Sequence, residues 1–261
     1  MPKLAANLTT MFNEVPFLDR FEAAAKAGFK AVEYLFPYAH TKEEVAERLK
    51  RTGLTQVMFN LPPGNWDAGE RGLAILPDRV EEFRAAVGKG IEYAEALGCT
   101  MVHAMAGVAP SGVHPARLRE TYVENLKFAA AEVAKRGLTL LIEPCNTRDI
   151  PGYYLCTSTQ ALAVIGAVAA PNLKLQYDIY HAQVMEGDLG HRLEMLLPTI
   201  GHIQISDLPG RHEPGTGEIN YEYLLGHLDR IGYRGWVGCE YRPAGKTLDG
   251  LAWAKRYLGA N

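Results

Sequence analysis

The 261-residue chain has only four cysteines, Cys99, Cys145, Cys156 and Cys239, far apart and with no CxxC pair. That excludes a disulfide framework and a cysteine zinc finger, and it reads as a reduced, cytoplasmic set. No long apolar run is present. ALAVIGAVAA at 161–170, the most hydrophobic stretch, is half of what a membrane-crossing helix needs. The opening MPKLAANLTTMFNE has no apolar segment behind its single lysine, so no secretory signal is expected. Charge of one sign is also missing. Lys+Arg 27 against Asp+Glu 30 leaves a net −3 with no basic block, which excludes a general nucleic-acid coat. No linker, low-complexity tract or sequence repeat interrupts the chain, and one domain over 1–261 is expected.

What is present is a regular alternation. Short apolar runs lie at Leu4–Leu8, Ala31–Leu35, Thr55–Phe59, Thr100–Met105, Leu138–Ile142, Leu173–Tyr177, His202–Ile205 and Trp236–Cys239. Each is bounded by Gly, Pro, Asn or Asp, as buried strands are. Helical spacing fills the gaps: Val80, Phe83, Val87, Ile91, Ala94 and Leu97 recur every three or four residues, as do Leu118, Tyr122, Leu126, Ala129 and Val133. Thr41 with Glu44 and Thr157 with Gln160 have capping-box spacing. Gly28, Gly53, Gly98, Gly137 and Gly232 stand where helices should stop. A Rossmann sheet would place a glycine fingerprint after the first strand, where TTMFNE stands instead. Eight strand–helix units therefore predict an α/β fold, a single (β/α)8 TIM barrel.

Barrels of this kind carry their sites at the C-terminal ends of the strands, so the polar residues closing each run matter most. Asn7, Glu33, Asn60 and His103 mark the first four runs, and Glu143, Asp178, Gln204 and Glu240 the last four. Each of the latter is about one strand–helix unit from the next, which sets them side by side at the mouth. Three carboxylates and an amide oxygen repel one another unless a cation joins them. An all-oxygen set suits Mg²⁺ or Mn²⁺, whereas zinc more often recruits His or Cys. The alternative for each acid is pairing with an arginine or capping a helix.

The segments NLPPGNWDAGERGLA (60–74), LLIEPCNTRDIPGYYL (140–155), QYDIYHAQVMEGDL (176–189), RHEPGTGEINYEYL (211–224) and GWVGCEY (235–241) closely resemble the hydroxypyruvate isomerase family, within the xylose isomerase-like barrels. The resemblance covers essentially the whole chain. It implies interconversion of hydroxypyruvate and 2-hydroxy-3-oxopropanoate through an enediolate, with Glu143, Asp178, Gln204 and Glu240 as metal ligands. The sugar-epimerase members usually have His where this chain has Gln204, and an amide is the weaker ligand. His181 and Arg211 match positions that hold substrate oxygens, and Asp149 an acidic substrate contact of the epimerases.

In that chemistry Glu143 and Glu240 flank the substrate, one as base and the other returning the proton. Arg71 is a second candidate beside Arg211 for the substrate carboxylate, and Glu70 either orients Arg71 or meets the substrate. GTG at 215–217 lacks a phosphate-loop context and reads as a turn. The partner expected is a small hydroxy or keto acid, with no nucleic acid and no membrane, and a homo-oligomer by analogy with related barrels. The alternatives are a 2-oxo-tetronate isomerase, which FNEVPF and VHAMAGV resemble, a ketose 3-epimerase, a metal-dependent DNA-repair nuclease, and a non-catalytic sugar-acid binder.

Overall fold

The computed structural model describes residues 1–258; the last three positions of the expected domain, 259–261, lie outside the described residues. Among the described residues, nine parallel strand segments form one sheet: β1 Lys3–Asn7, β2 Ala31–Glu33, β3 Thr55–Gln56, β4 Met58–Asn60, β5 Met101–His103, β6 Thr139–Ile142, β7 Leu173–Asp178, β8 Ile200–Ile205 and β9 Trp236–Cys239. Their order is β3-β2-β1-β9-β8-β7-β6-β5-β4. Both ends of that order come from the third apolar run, which the sequence presents as one strand and the structure divides at Val57. The run pairs with β2 before Val57 and with β5 after it. The Val57 N–H donates to the Val32 carbonyl at 2.9 Å and the Asn60 N–H to the Leu35 carbonyl at 2.8 Å. The divided strand is thus the seam on which the TIM barrel closes.

Helices α1 Phe17–Lys26, α2 Lys42–Thr52, α3 Val80–Leu97, α4 Pro115–Ala134, α5 Ser158–Val168, α6 Ile179–Met185, α7 Leu189–Leu196, α8 Tyr221–Ile231 and α9 Lys255–Leu258 surround the sheet. Both capping boxes form, at the starts of α2 and α5, each satisfying N–H groups that the first turn leaves without partners. The five glycines named from the sequence all have positive φ. The periodic apolar faces of α3 and α4 are buried against the outside of the sheet in one continuous core. None of the described helices is long and apolar enough to cross a membrane.

Inside the barrel, alternation divides each strand into floor and mouth. Ala5, Ala31, Val57, Met58 and Leu141 form a small apolar floor, with Met101 and Trp236 against it. Two residues further along each strand stand Asn7, Glu33, Asn60, His103 and Glu143, while Gln176 precedes Asp178 and His202 precedes Gln204 in the same rhythm. All of these are buried. The interior near the mouth is therefore polar and hydrogen-bonded, where barrel interiors of this type are usually filled by branched apolar residues.

Candidate active site

A cavity of about 410 Å³ opens at the C-terminal ends of the strands. Glu143, Gln204 and Glu240 line it, together with His181, Asp149, Arg211 and Arg71. One carboxylate oxygen each from Glu143, Asp178 and Glu240 lie within 4.8 Å of one another. The strand order makes this inevitable: Asp178 and Gln204 are register partners on β7 and β8, Gln204 and Gly238 on β8 and β9, and Glu240 is one alternation beyond Gly238.

Burial and mutual repulsion raise the affinity of these carboxylates for protons. Glu143 is held well above the ordinary range, first by burial and then by the charges of Glu240 and Asp178. Burial pushes Glu240 up to about 8, against the pull of Arg211, and raises Asp178 with the same opposition. One Glu143 oxygen, Oε1, is buried with no hydrogen-bond partner among the described residues. Three converging carboxylates, one with a buried oxygen that has no hydrogen-bond partner, are a donor set that a hard divalent cation fits.

Arg211 brings the nearest positive charge. Its Nη2 lies 3.4 Å from Asp178 Oδ2 and 3.4 Å from Glu240 Oε2, and its Nη1 lies 3.3 Å from Asp149 Oδ2. The loop that carries Arg211 is built on Asp207, a residue with no signal in the sequence. Its buried carboxylate accepts backbone N–H groups from Leu208, Gly215, Gly217 and Ile219 at 2.8–3.0 Å. This is the work of the 215–217 glycines: any Cβ at Gly217 would overlap the Leu208 carbonyl, so the segment is a turn. Arg211 itself sits at φ 56°, in the left-handed region, and its carbonyl accepts from the Arg242 N–H at 2.7 Å.

His181 is buried, and its environment fixes its proton. Nδ1 accepts the Asn146 backbone N–H at 3.1 Å, so the hydrogen of the neutral ring resides on Nε2. Burial and the neighbouring Arg211 keep the ring neutral, far below the usual histidine range. Nε2, 3.6 Å from Asp178 Oδ2, is thus a neutral donor at the edge of the carboxylate cluster.

Arg71 and Glu70, adjacent in sequence, go different ways. The Arg71 guanidinium stacks 3.9 Å from the Trp66 ring centroid, donates to the carbonyls of Trp66 and Glu70 at 2.9 and 2.7 Å, and lines the cavity. Gly72, at φ 122° where a Cβ would overlap the Met105 backbone, holds this loop down beside β5. Glu70 instead accepts from Arg79 and from the Asn65 N–H, and the structure places it as a brace within the loop. Asp149 joins Arg211 and accepts from the Tyr180 hydroxyl at 3.3 Å.

Gln204 is tied from below. Its Nε2 donates to Glu33 Oε1 at 2.8 Å, and its Oε1 accepts from Gln176 Nε2 at 2.6 Å. Gln176 was invisible as a site residue because it lies mid-strand. The available signal was its spacing of two from Asp178, which puts both side chains on one face.

With this geometry in place, comparison with known proteins adds descent. The family model for the xylose isomerase-like TIM barrel matches residues 21–257, and the chain belongs to that family. It is 53% identical over 259 residues, 99% of this chain and 100% of the relative, to a 2-oxo-tetronate isomerase of Cupriavidus necator. A hydroxypyruvate isomerase of Escherichia coli is 48% identical over 257 residues, 98% of this chain and 100% of the relative. A crystal structure described as an AP endonuclease, family 2, from Brucella melitensis superposes with a TM-score of 0.97 at 50% identity, covering 98% of this chain and 99% of that one. Full-length relatives at this identity make the chain an isomerase.

Proposed function

We propose that the protein, one barrel domain over residues 1–261, interconverts a short 2-oxo-3-hydroxy acid and its 2-hydroxy-3-oxo isomer. Hydroxypyruvate and 2-hydroxy-3-oxopropanoate form the primary pair. The observation that carries the reading is three buried carboxylates, Glu143, Asp178 and Glu240, converging within 4.8 Å, two of which, Glu143 and Glu240, line a cavity together with Arg71 and Arg211. Proton transfer between adjacent carbons needs a base and an acid, which paired carboxyl groups supply, and guanidinium groups match an acidic substrate.

Arg211 and Arg71 bind the substrate carboxylate. One of Glu143 and Glu240 removes the proton from the hydroxyl-bearing carbon, and the other returns a proton to the former carbonyl carbon. Both glutamates line the cavity, as an acid and a base acting on one substrate must. The His181 Nε2–H donates to a substrate oxygen and assists proton movement between the oxygens, and Asp149 holds Arg211 in place. Glu143, Asp178, Glu240 and the Gln204 amide oxygen are the residues that would hold Mg²⁺ or Mn²⁺. When bound, such a cation offsets the carboxylates' repulsion and stabilises negative charge on the enediolate oxygens. The free cysteines and the absence of a membrane-crossing helix among the described residues support a cytoplasmic enzyme acting on a small molecule.

A second reading keeps the chemistry and lengthens the substrate by one carbon. The 53% identity to a 2-oxo-tetronate isomerase and a cavity of about 410 Å³ favour it. The test is a proton NMR time course in D₂O with hydroxypyruvate and, separately, the four-carbon acid, after chelation and again after adding Mg²⁺ or Mn²⁺. Deuterium entering the new carbon position supports the enediolate route. Turnover of the longer acid alone transfers the assignment to it, and no turnover of either refutes the proposal. A DNA-directed reading would call for a shift of abasic-site DNA in a gel, which a chain of net charge −3 is not expected to give.

A further inference from the structure

We infer that Glu33 is a positioning residue: reaching across the barrel interior over Gly238, its carboxylate decides which way the Gln204 amide faces and so turns the amide oxygen toward the cation site. The inference rests on the metal-site reading above and deepens it.

The two ends of a glutamine amide are nearly equal in size, so packing alone does not choose between them. A carboxylate does choose, because it only accepts. Glu33 Oε1 accepts from Asn7 Nδ2 at 3.0 Å and from Gln204 Nε2 at 2.8 Å, and Oε2 accepts from His202 Nε2 at 2.6 Å. With its NH₂ committed to Glu33, Gln204 presents Oε1 to Gln176 Nε2, and the residue lines the cavity. That oxygen has two lone pairs, and Gln176 uses one. A flipped amide would set oxygen against the Glu33 carboxylate and NH₂ against the cation, an unfavourable contact at each end.

Glu33 is on β2; Asn7 is on the adjacent β1, but His202 and Gln204 are on β8, with β1 and β9 between. The residue its carboxylate passes over is Gly238 on β9, the register partner of Ala5 on β1. Any Cβ at 238 would overlap both Glu33 carboxylate oxygens. Glu33, Asn7, His202 and Gln204 are at most 2% exposed, so water does not compete for these bonds. The glycine of GWVGCEY is thus the opening through which a carboxylate from the far side of the barrel reaches the site.

The experiment is a Mn²⁺ titration followed by the electron paramagnetic resonance of the free ion, with no substrate present, on wild type, Q204E and E33Q/Q204E. Q204E adds a negative charge beside the cation, yet it places an oxygen against Glu33. It is expected to weaken Mn²⁺ binding about 10–100-fold, the usual scale for disturbing the group behind a ligand. In E33Q/Q204E the new amide donates to the new carboxylate, and affinity is expected to return to within about threefold of wild type, or better. Should Q204E fail to fold alone, the double variant carries the test, with circular dichroism reporting its fold. Tighter binding by Q204E than by wild type, or no recovery in the double variant, overturns the assignment. A wild-type protein that binds no Mn²⁺, or binds it equally well as D178N, overturns the metal-site reading beneath it instead.

Discussion

Holding Glu240 protonated up to about pH 8 links the stability of the metal-free protein to pH, with a sign opposite to that of a salt-bridged acid. Unfolded, this carboxyl releases its proton near 4.5; folded and without a cation, it keeps the proton until about 8. Below 4.5 both states are protonated and the contribution is fully present; it is lost as pH rises toward 8. The whole interval corresponds to about 5 kcal/mol. Buried His181 and His103, both kept neutral in the fold, lose stability in the other direction as pH falls below about 6.5. The clean window is therefore pH 6.5 to 8, which holds about 2 kcal/mol of the Glu240 contribution. For a chain of this size that is ~4 °C in Tm. Thermal melts in chelator should fall by at least this much across the window, since the raised Glu143 and Asp178 act with the same sign, while E240Q, which cannot ionise at that position, should fall less steeply. Excess Mn²⁺ needs the ionised carboxylates, so the stabilisation it gives should grow with pH up to about 8. A chelated Tm that is level or rising from pH 6.5 to 8, or one with the same slope in E240Q, would refute the reasoning.

Glu143→Gln and Glu240→Gln should each lower kcat by about 10²–10⁴-fold with an unchanged circular dichroism spectrum; activity retained in both removes the two-carboxylate mechanism. Arg71→Ala should raise KM for hydroxypyruvate by about 10–100-fold, the value of a charge-assisted hydrogen bond, with a smaller effect on kcat. An unchanged KM would return Arg71 to a loop-bracing role. Gly238→Ala should destabilise by about 1–3 kcal/mol through overpacking, ~2–6 °C in Tm, and should weaken Mn²⁺ binding because Glu33 is displaced. A neutral effect on both would show that the glycine is not needed for clearance.

Strand positions were legible because eight apolar runs each stop at a polar residue, and the four acidic and amide termini were legible because they recur at one per unit. The third run was harder: Thr55–Phe59 reads as one strand, and nothing in its residues says that hydrogen bonding changes neighbour at Val57. The supporting residues were harder still. Glu33, Asn7 and His103 could be named as polar residues in or at the ends of the runs, but contacts such as that of Glu33 with Gln204 join β2 to β8 and depend on closure of the sheet. Arg71 and Glu70 show the limit of local reading. Side by side in GERG, one lines the cavity and the other pairs with Arg79, and only the path of the loop distinguishes them.

The carboxylates that would carry out proton transfer rise from strand ends, while the arginines that would grip the substrate carboxylate come from connections, Arg71 after β4 and Arg211 after β8, and the other charged lining groups, Asp149 after β6 and Arg242 after β9, do too. On the proposed function, reaction and recognition are thus mounted on separate parts of the chain, as chuck and cutter are on a lathe. Redesign can exploit this separation. Exchanging the 61–76 or 207–220 connection should retune chain length and terminal group of the acid accepted while the proton still travels between the same two glutamates.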